Sequence, residues 1–487
     1  MKVLREAESI PSLSLRGVDN WVSSDLHKLS EEAETPQHLK EVYTAWAANY
    51  DKEMKENDLK SYYEVSKQAL CFLERKRGLQ KGQFRAVDVG CGTGFCGSFL
   101  KKSLSAHPHL DSFAQNLHLT GIDLVPAMLE EAGKKNAFDE LIQVNLKADV
   151  SYGEDGSFDL MVSSGCFYPG HLGPDVLPNI LRKLKPDGAF VFTVRQQMFE
   201  TEEEDFLRFI SESNCVIASK QLTPYYGEIL AYTIIVCRSD VVESVMKSKG
   251  FARVPMIANE SDIEDLVNYM KKRMEDNHPG NVYDSRGHIR AVHGYEEGLI
   301  SNLVKSLAVV AKRIVKSDRV YMYQFRMNNK QPSLNSGAGA WKPHRDYDFW
   351  HGMDGMKCPE SVAIFHILVS ENTVENGAVY LCDASNNEDI QPNTNCGKSW
   401  KDGFQEDLKY TLAQDRVKAW PMHTPMVGRV GDIFVMHSLT WHYSKQNNTD
   451  DSRILCTCVF NSCDNAPFPL KEKRPEFVVH PENKFVF

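Results

Sequence analysis

The order of apolar patterns along the chain predicts two domains of different class. The first is a doubly wound α/β domain, and the second is an all-β sandwich or jelly roll with flanking helices. Three observations carry this. The chain has 487 residues, more than one core supports, since single cores stop growing near roughly 250–300 residues. Between Phe84 and Cys237 short apolar runs alternate with helical stretches, the pattern of a parallel sheet covered on both faces. From Val320 onward helical periodicity gives way to short strands separated by turns, the texture of a β sandwich.

Residues 1–35 are polar and without periodicity and read as a flexible N-terminal tail. A helical pattern then runs from Pro36 to about Leu79, with Thr35 as cap and Pro36 in the first turn. The runs "RAVDVG", "LHLTGIDL", "FDLMVSSG", "GAFVFTV" and "LAYTIIVC" are the predicted strands of the α/β domain. The texture changes near Ser239, where two charged helical stretches begin, the second being "YEEGLISNLVKSLAVVAKRIVKS". Strands follow in "RVYMYQFRMN", "SVAIFHILVS", "GAVYLCD", "HTPMVGRVGDIFVMHSL" and "RILCTCVFNS". The expected division is 36–238 and 239–487. No Gly/Ser-rich or Pro-rich stretch separates the two parts, which argues for a fairly rigid join.

Charge and cysteine usage exclude several classes. The net charge is −10, from 56 basic and 66 acidic residues, which disfavours nonspecific nucleic-acid binding. The most apolar stretch, Glu228 to Cys237, is far short of the ~20 residues of a membrane span and reads as a buried strand. The N-terminus has no apolar core of signal-peptide length. The 12 cysteines show neither zinc-ribbon nor C-x-x-C spacing, and Cys456 and Cys458 sit in an apolar run as core residues. A reducing, cytoplasmic location and a small-molecule substrate, without nucleic-acid or membrane partners, are the expectation.

The first chemical motif is "AVDVGCGTG", Ala86 to Gly94. A strand runs into three alternating glycines and a helix follows, so backbone can approach a ligand and offer free N–H groups. A second strand ends in Asp123, placed to accept hydrogen bonds from ribose hydroxyls. The spacing to Asp123 exceeds the usual ~20 residues, and the loop "SAHPHLDSFAQN" accounts for the excess. The glycine pattern lacks the G-x-x-G close that suits a pyrophosphate, and fits a nucleoside whose tail is not a diphosphate.

These residues, with "VYTAWAANYDKEM", "LTGIDLVPAMLEEAGKK" and "SSGCFYPGHLGPDVLPNILRKLKPDGAFVFT", resemble class I S-adenosylmethionine-dependent methyltransferases. Within that class they are similar to the Williams–Beuren-region methyltransferase-like family, over about 38–200. The resemblance implies a Rossmann-like domain in which Gly90, Gly92 and Gly94 line the amino-acid end of S-adenosylmethionine. It implies that Asp123 holds the ribose, that Leu124 and Met128 pack near the adenine, and that Tyr50 closes over the cofactor. Asn145 stands where relatives often carry an adenine-contacting Asp. Tyr168 and His171 in "CFYPGHLGP" are placed to face the methyl acceptor, as catalytic groups if the nucleophile arrives protonated. The alternative for His171 is a loop-packing role. No N/D-P-P-Y tetrapeptide is present, so a small-molecule acceptor is favoured over a nucleic-acid base.

The second motif is "KPHRDYDFW". Its His-Arg-Asp triplet opens the catalytic loop of protein kinases, but that loop requires Asn where this chain has His351, and no upstream glycine loop or V-A-I-K lysine is present. The competing reading is a metal triad. His344 and Asp346 alternate at a strand end, and a downstream histidine would complete a two-His, one-carboxylate face. "MHSLTWHYSKQNNTDDSR" offers His437 and His442, and Arg453 lies eleven residues after His442. A guanidinium there is a fitting partner for a carboxylate. On that spacing His442 is the third ligand and His437 structural, while His351, His366 and His423 read as packing or surface residues.

This constellation, with "VYMYQFRMNNK", "NGAVYLCDAS" and "GHIRAVHGYEE", resembles the phytanoyl-CoA dioxygenase family of Fe(II)/2-oxoglutarate oxygenases, ectoine hydroxylase in particular, over about 245–465. The resemblance implies a double-stranded β-helix with His344, Asp346 and His442 on iron and Arg453 on the far carboxylate of 2-oxoglutarate. Asn328 and Trp341 would help hold the same co-substrate, and Gln324 and Trp350 would meet the substrate. The segment Asn386–Trp420 looks distinct from relatives, so substrate identity does not carry over. Halogenating relatives lose the carboxylate, so Asp346 favours hydroxylation. The sequence thus predicts a fusion enzyme that methylates and hydroxylates a small polar, amino-acid-derived metabolite. The alternatives are a dioxygenase with a non-catalytic cofactor-binding module, and a modifier of a protein partner.

Overall fold

A computed structural model describes residues 28–33, 35–76, 82–148, 151–283, 289–332, 340–388, 409–468 and 473–487. The expected tail lies outside these residues up to position 27. From Lys28 the chain forms a helical turn in which Ser30 is buried and Glu31 pairs with Arg195. Most of the distinctive Asn386–Trp420 segment, residues 389–408, also lies outside.

Seven strands form the first sheet: β1 (Phe84–Val89), β2 (Leu117–Asp123), β3 (Glu140–Gln143), β4 (Phe158–Phe167), β5 (Leu184–Arg195), β6 (Cys215–Tyr226) and β7 (Ile229–Arg238). Their order is β3-β2-β1-β4-β5-β7-β6. β1 pairs in parallel with β2 and β4, and β2 in parallel with β3. The five expected strands are present. β3 and β6 were not anticipated, because half-exposed runs such as "ELIQ" carry too little apolar signal. β6 and β7 are neighbours across the turn Gly227–Glu228, so strict strand–helix alternation stops there. Helix α1 (Pro36–Glu56) starts where Thr35 accepts the His38 N–H at 3.1 Å, and α2 (Ser61–Arg75) follows.

Two further sheets build the second half. β8 (Phe251–Ile257), β9 (Asn281–Tyr283), β10 (Ile289–His293), β11 (Val320–Lys330), β13 (Val362–Leu368), β16 (Asp432–His437) and β18 (Arg453–Ser462) form one, in the order β8-β16-β13-β18-β11-β10-β9. β12 (Trp341–His344), β14 (Val379–Cys382), β15 (His423–Pro425) and β17 (His442–Ser444) form the other, in the order β12-β17-β14-β15. Their pairing is antiparallel, giving a double-stranded β-helix. Helix α3 (Ser301–Val315) turns Leu303, Val304, Leu307, Ala308, Val310, Ala311 and Val315 inward, the 3.6-residue stripe of a core-facing helix.

Register sets the inner face of the larger sheet. Arg326 pairs with Thr457, and Thr457 with His366. Asn328 pairs with Leu455, and Lys330 with Arg453. Alternate residues share a face, so Gln324, Arg326, Asn328 and Lys330 line up on one side of β11. By contacts the chain falls into two compact units, one of residues 1–183, 191–206 and 222–233, the other of residues 184–190, 207–221 and 234–487. Each site described below lies wholly within one unit.

Candidate active sites

The glycine turn after β1 has the backbone its sequence demands. Gly90, Gly92 and Gly94 have φ of +67°, +53° and +85°, a region costly for residues with a Cβ. A Cβ on Gly94 would lie 2.6 Å from the Phe138 ring, and one on Gly90 would collide with the Cys166 sulfur. A Cβ on Gly92 would meet nothing within 4 Å, because it faces the cavity. Asp123 fixes this turn, accepting the Gly92 N–H at 2.8 Å on Oδ2 and the Val125 N–H at 2.9 Å on Oδ1. Burial raises the Asp123 carboxyl, against the pull of the Val125, Gly92 and Leu124 N–H groups.

One cavity takes in Gly90, Gly92, Asp123, Leu124, Met128, Asn145, Tyr50, Tyr168 and His171. Gly94 holds the turn behind it as the N-cap of the helix Phe95–Ala106. Met128 is buried, and Asn145 caps its own loop by accepting the Lys147 N–H at 3.1 Å. Tyr50 stands edge-on to Trp46, with ring centroids 5.0 Å apart. The sequence reading missed Asp88, fully buried on the cavity wall. Its Oδ2 accepts the Gly97 N–H at 2.7 Å, while Oδ1 has no partner among the described residues. Burial pushes its pKa up to about 7. The open wall at Gly92 and the unpartnered Oδ1 of Asp88 fit a polar nucleoside such as S-adenosylmethionine.

Tyr168 and His171, also on the cavity wall, meet a third lining residue, Tyr43. Tyr168 Oη lies 2.6 Å from His171 Nε2, and Tyr43 Oη lies 2.8 Å from Tyr168 Oη and 3.0 Å from the same nitrogen. Tyr43 comes from α1, over a hundred residues away, and no local signal marks it. Burial pushes both phenols well above their ordinary pKa, so they stay protonated. His171 Nδ1 lies 3.4 Å from the Pro169 carbonyl. The tautomer that fits these contacts carries its proton on Nδ1 and accepts phenolic hydrogens at Nε2.

In the second unit His344, Asp346 and His442 converge, with their ligand atoms within 4.8 Å of one another. β12 and β17 pair so that His344 lies opposite His442. Asp346 opens the helix α4 (Asp346–Asp354), and its Oδ1 lies 3.7 Å from His344 Nε2 and 3.9 Å from His442 Nε2. Each histidine turns Nδ1 to a backbone carbonyl, His344 to Lys342 at 2.7 Å and His442 to Thr440 at 3.0 Å. That fixes the tautomer that leaves Nε2 free to ligate a metal. Burial and the neighbouring His442 push His344 down to about 3. Burial works against the Asp346 charge, but His442, His344 and Arg326 hold its carboxyl below the usual range. Two imidazole nitrogens and one carboxylate oxygen brought together in this way fit Fe(II).

Arg453 is 2% exposed. Its Nη2 donates to the Gly377 carbonyl at 3.3 Å, but Nε and Nη1 have no partner among the described residues. Burial lowers its pKa to about 10. A buried guanidinium with two idle donors fits a carboxylate such as that of 2-oxoglutarate. Asn328 donates to Thr457 Oγ1 at 3.3 Å, and its Oδ1 is left without a partner. Trp341 stacks under Arg290, whose guanidinium carbon lies 3.9 Å from the ring centroid.

Gln324 and Trp350 come together around a buried network. Arg474 pairs with Asp354 and reaches Tyr323 Oη at 3.0 Å. Gln324, with its amide oriented to match, accepts from Arg474 Nη1 and Nη2 at 3.1 Å each. Trp350 is 3% exposed and stands edge-on to Tyr323 at 5.6 Å. His437 accepts the Leu439 N–H in its own turn, His351 bonds the Met356 carbonyl, and His423 contacts Trp420 and Cys382. None of these three joins the triad. His366 is buried in β13 and contacts Thr457, in one row with Arg326 across the larger sheet. The period-two alternation of "QFRMNNK" was the available signal for Arg326 and Lys330, two further unanticipated basic residues here.

The comparisons with known proteins agree with this geometry. The phytanoyl-CoA dioxygenase (PhyH) family matches residues 247–455, and a methyltransferase domain family matches residues 80–231. The L-proline trans-4-hydroxylase of Streptomyces griseoviridis is 26% identical over 243 residues, covering 47% of this chain and 88% of its own. The ectoine dioxygenase of Streptomyces anulatus is 30% identical over 200 residues, covering 38% of this chain and 64% of its own, short of two thirds. The solved structure of EctD from S. alaskensis with 2-oxoglutarate and 5-hydroxyectoine is 20% identical, with a TM-score of 0.40 over 49% of this chain and 83% of that one. The chain is a fusion of a methyltransferase domain with a phytanoyl-CoA dioxygenase-family domain.

Proposed function

We propose that both domains are active, and that they methylate and hydroxylate one small polar, amino-acid-derived metabolite in successive steps. The domain limits are 36–238 and 239–487. The observation that carries the reading is that each half holds a site with buried polar groups left for a ligand, Asp88 in one and Arg453 in the other. The curated relatives are named for proline and ectoine, both compact and polar. The buried Arg326, whose Nε has no partner among the described residues, favours a substrate carrying a carboxylate.

S-adenosylmethionine supplies an electrophilic methyl group, held by the Gly90–Gly94 turn, Asp123 and Asn145. Tyr43 and Tyr168 orient the acceptor, and a proton leaving it passes through a phenol to His171 Nε2. In the other domain His344, Asp346 and His442 would hold Fe(II), and Arg453 and Asn328 would hold 2-oxoglutarate. Iron with 2-oxoglutarate supplies the oxidising power for hydroxylation from O₂. The chain contributes the fixed ligand face and the buried inner wall. Gln324 and Trp350 border the substrate space through the Tyr323–Asp354–Arg474 network.

The test is metabolite profiling with purified enzyme, omitting each co-substrate in turn. One metabolite gaining a methylene mass with S-adenosylmethionine and an oxygen mass with 2-oxoglutarate supports the reading. Oxygen gain alone, unchanged in Asp123→Ala, would leave the dioxygenase as the working half. Turnover confined to protein side chains would point to a protein partner instead.

A further inference from the structure

His366 is the buried polar group of the second site with no task so far. It is 4% exposed, at the centre of the larger sheet. It pairs across β18 with Thr457, itself opposite Arg326 on β11, so the three lie in one row. Nδ1 lies 3.1 Å from Thr457 Oγ1, and the same oxygen accepts from Asn328 Nδ2 at 3.3 Å. The Thr457 oxygen can accept the Asn328 N–H and donate its own proton to His366 Nδ1, the arrangement in which the imidazole hydrogen sits on Nε2.

In that tautomer the Nε2–H meets no acceptor among the described residues. A buried donor left in that state is destabilising, a penalty that a suitable ligand removes. The charges His366 feels belong to His442, Asp346, Arg326 and Arg453, and burial keeps the ring neutral. Two of those four belong to the metal triad, and Arg453 carries the two idle donors.

We infer that His366 donates Nε2–H to a 2-oxo acid held between the triad and Arg453, with Asn328 and Thr457 acting as the relay that fixes its tautomer. His366 is then a binding residue for the co-substrate, and Thr457 a positioning residue. The inference rests on the oxygenase reading above.

The test is calorimetric titration of 2-oxoglutarate into the full-length protein loaded with Mn(II), alongside the absorption band that Fe(II) and 2-oxoglutarate give without O₂. His366→Phe removes the donor, and His366→Gln keeps an N–H near the Nε2 position. The expected result is at least a tenfold weaker 2-oxoglutarate affinity in His366→Phe, with unchanged Mn(II) affinity, and recovery to within about threefold in His366→Gln. A His366→Phe protein that binds 2-oxoglutarate like wild type overturns the inference. So does one that loses Mn(II) and 2-oxoglutarate together, since that marks a merely structural histidine. Wild-type protein that binds Mn(II) but not 2-oxoglutarate overturns the oxygenase reading itself, an outcome distinct from failure of His366 alone.

Discussion

Replacing Arg453 by Met should make the ligand-free protein no less stable while destroying its affinity for 2-oxoglutarate. The side chain is 2% exposed, and only Nη2 is engaged, with Gly377 at 3.3 Å. The two idle donors cost about 1–3 kcal/mol each in the free protein. Met fills similar space without that cost, and losing the Gly377 bond removes about 1 kcal/mol, so the net change is about 1–5 kcal/mol of stabilisation. In the loaded protein the same donors make two charge-assisted bonds of about 1.5–3 kcal/mol each. Their loss of about 3–6 kcal/mol corresponds to roughly a hundredfold to ten-thousandfold weaker binding. Thermal melting without ligand and calorimetry of 2-oxoglutarate on the Mn(II)-loaded protein read the two effects separately. A variant that melts well below wild type yet binds 2-oxoglutarate within about threefold, under about 1 kcal/mol, would refute the assignment.

Gly92→Ala should fold, at a backbone cost of about 1–2 kcal/mol for its positive φ, and fail to bind S-adenosylmethionine in calorimetry. Gly94→Ala, whose Cβ would press on Phe138 at 2.6 Å, should melt lower still. Asp346→Ala should lower metal affinity by roughly 10- to 100-fold or more, measured by competition with a metal-sensitive dye, and leave S-adenosylmethionine binding unchanged. Lys330 adds a pH dependence. It is buried, with Nζ 2.6 Å from Ser444 Oγ, and burial with nearby Arg453 and Arg290 pushes it down to about 6. An unfolded lysine titrates near ~10.4, so between about 6 and 10 the unfolded chain holds the extra proton and stability rises with pH. Lys330→Met should flatten that slope in melting curves taken across this range; an unchanged slope would show that Lys330 is not its source.

Much of each site was legible because its signals are local. A strand, three glycines and a helix form one turn, so "VDVGCGTG" announces its own geometry. His344 and Asp346 stand two residues apart, and the His442–Arg453 spacing reflects the loop that carries the chain from one sheet to the other. Tyr43 was not legible, because an aromatic on a helix reads the same whether it packs a core or faces a ligand. Its contact with His171 spans 128 residues. The row His366 shares with Thr457 and Arg326 was not legible for a related reason, since "IFHIL" shows a polar residue in a buried strand but not which face of the sheet it takes.

The sequence by itself determined the fold classes, the change of texture near Ser239, the glycine turn and the metal triad. These depend on residue type and short spacing. Only the tertiary structure decided which buried groups are satisfied and which wait for a ligand. Whether Arg453, Asp88 or His366 has a partner depends on atoms brought by strands far apart in the chain, at a precision of tenths of an ångström that no pattern of residue types encodes.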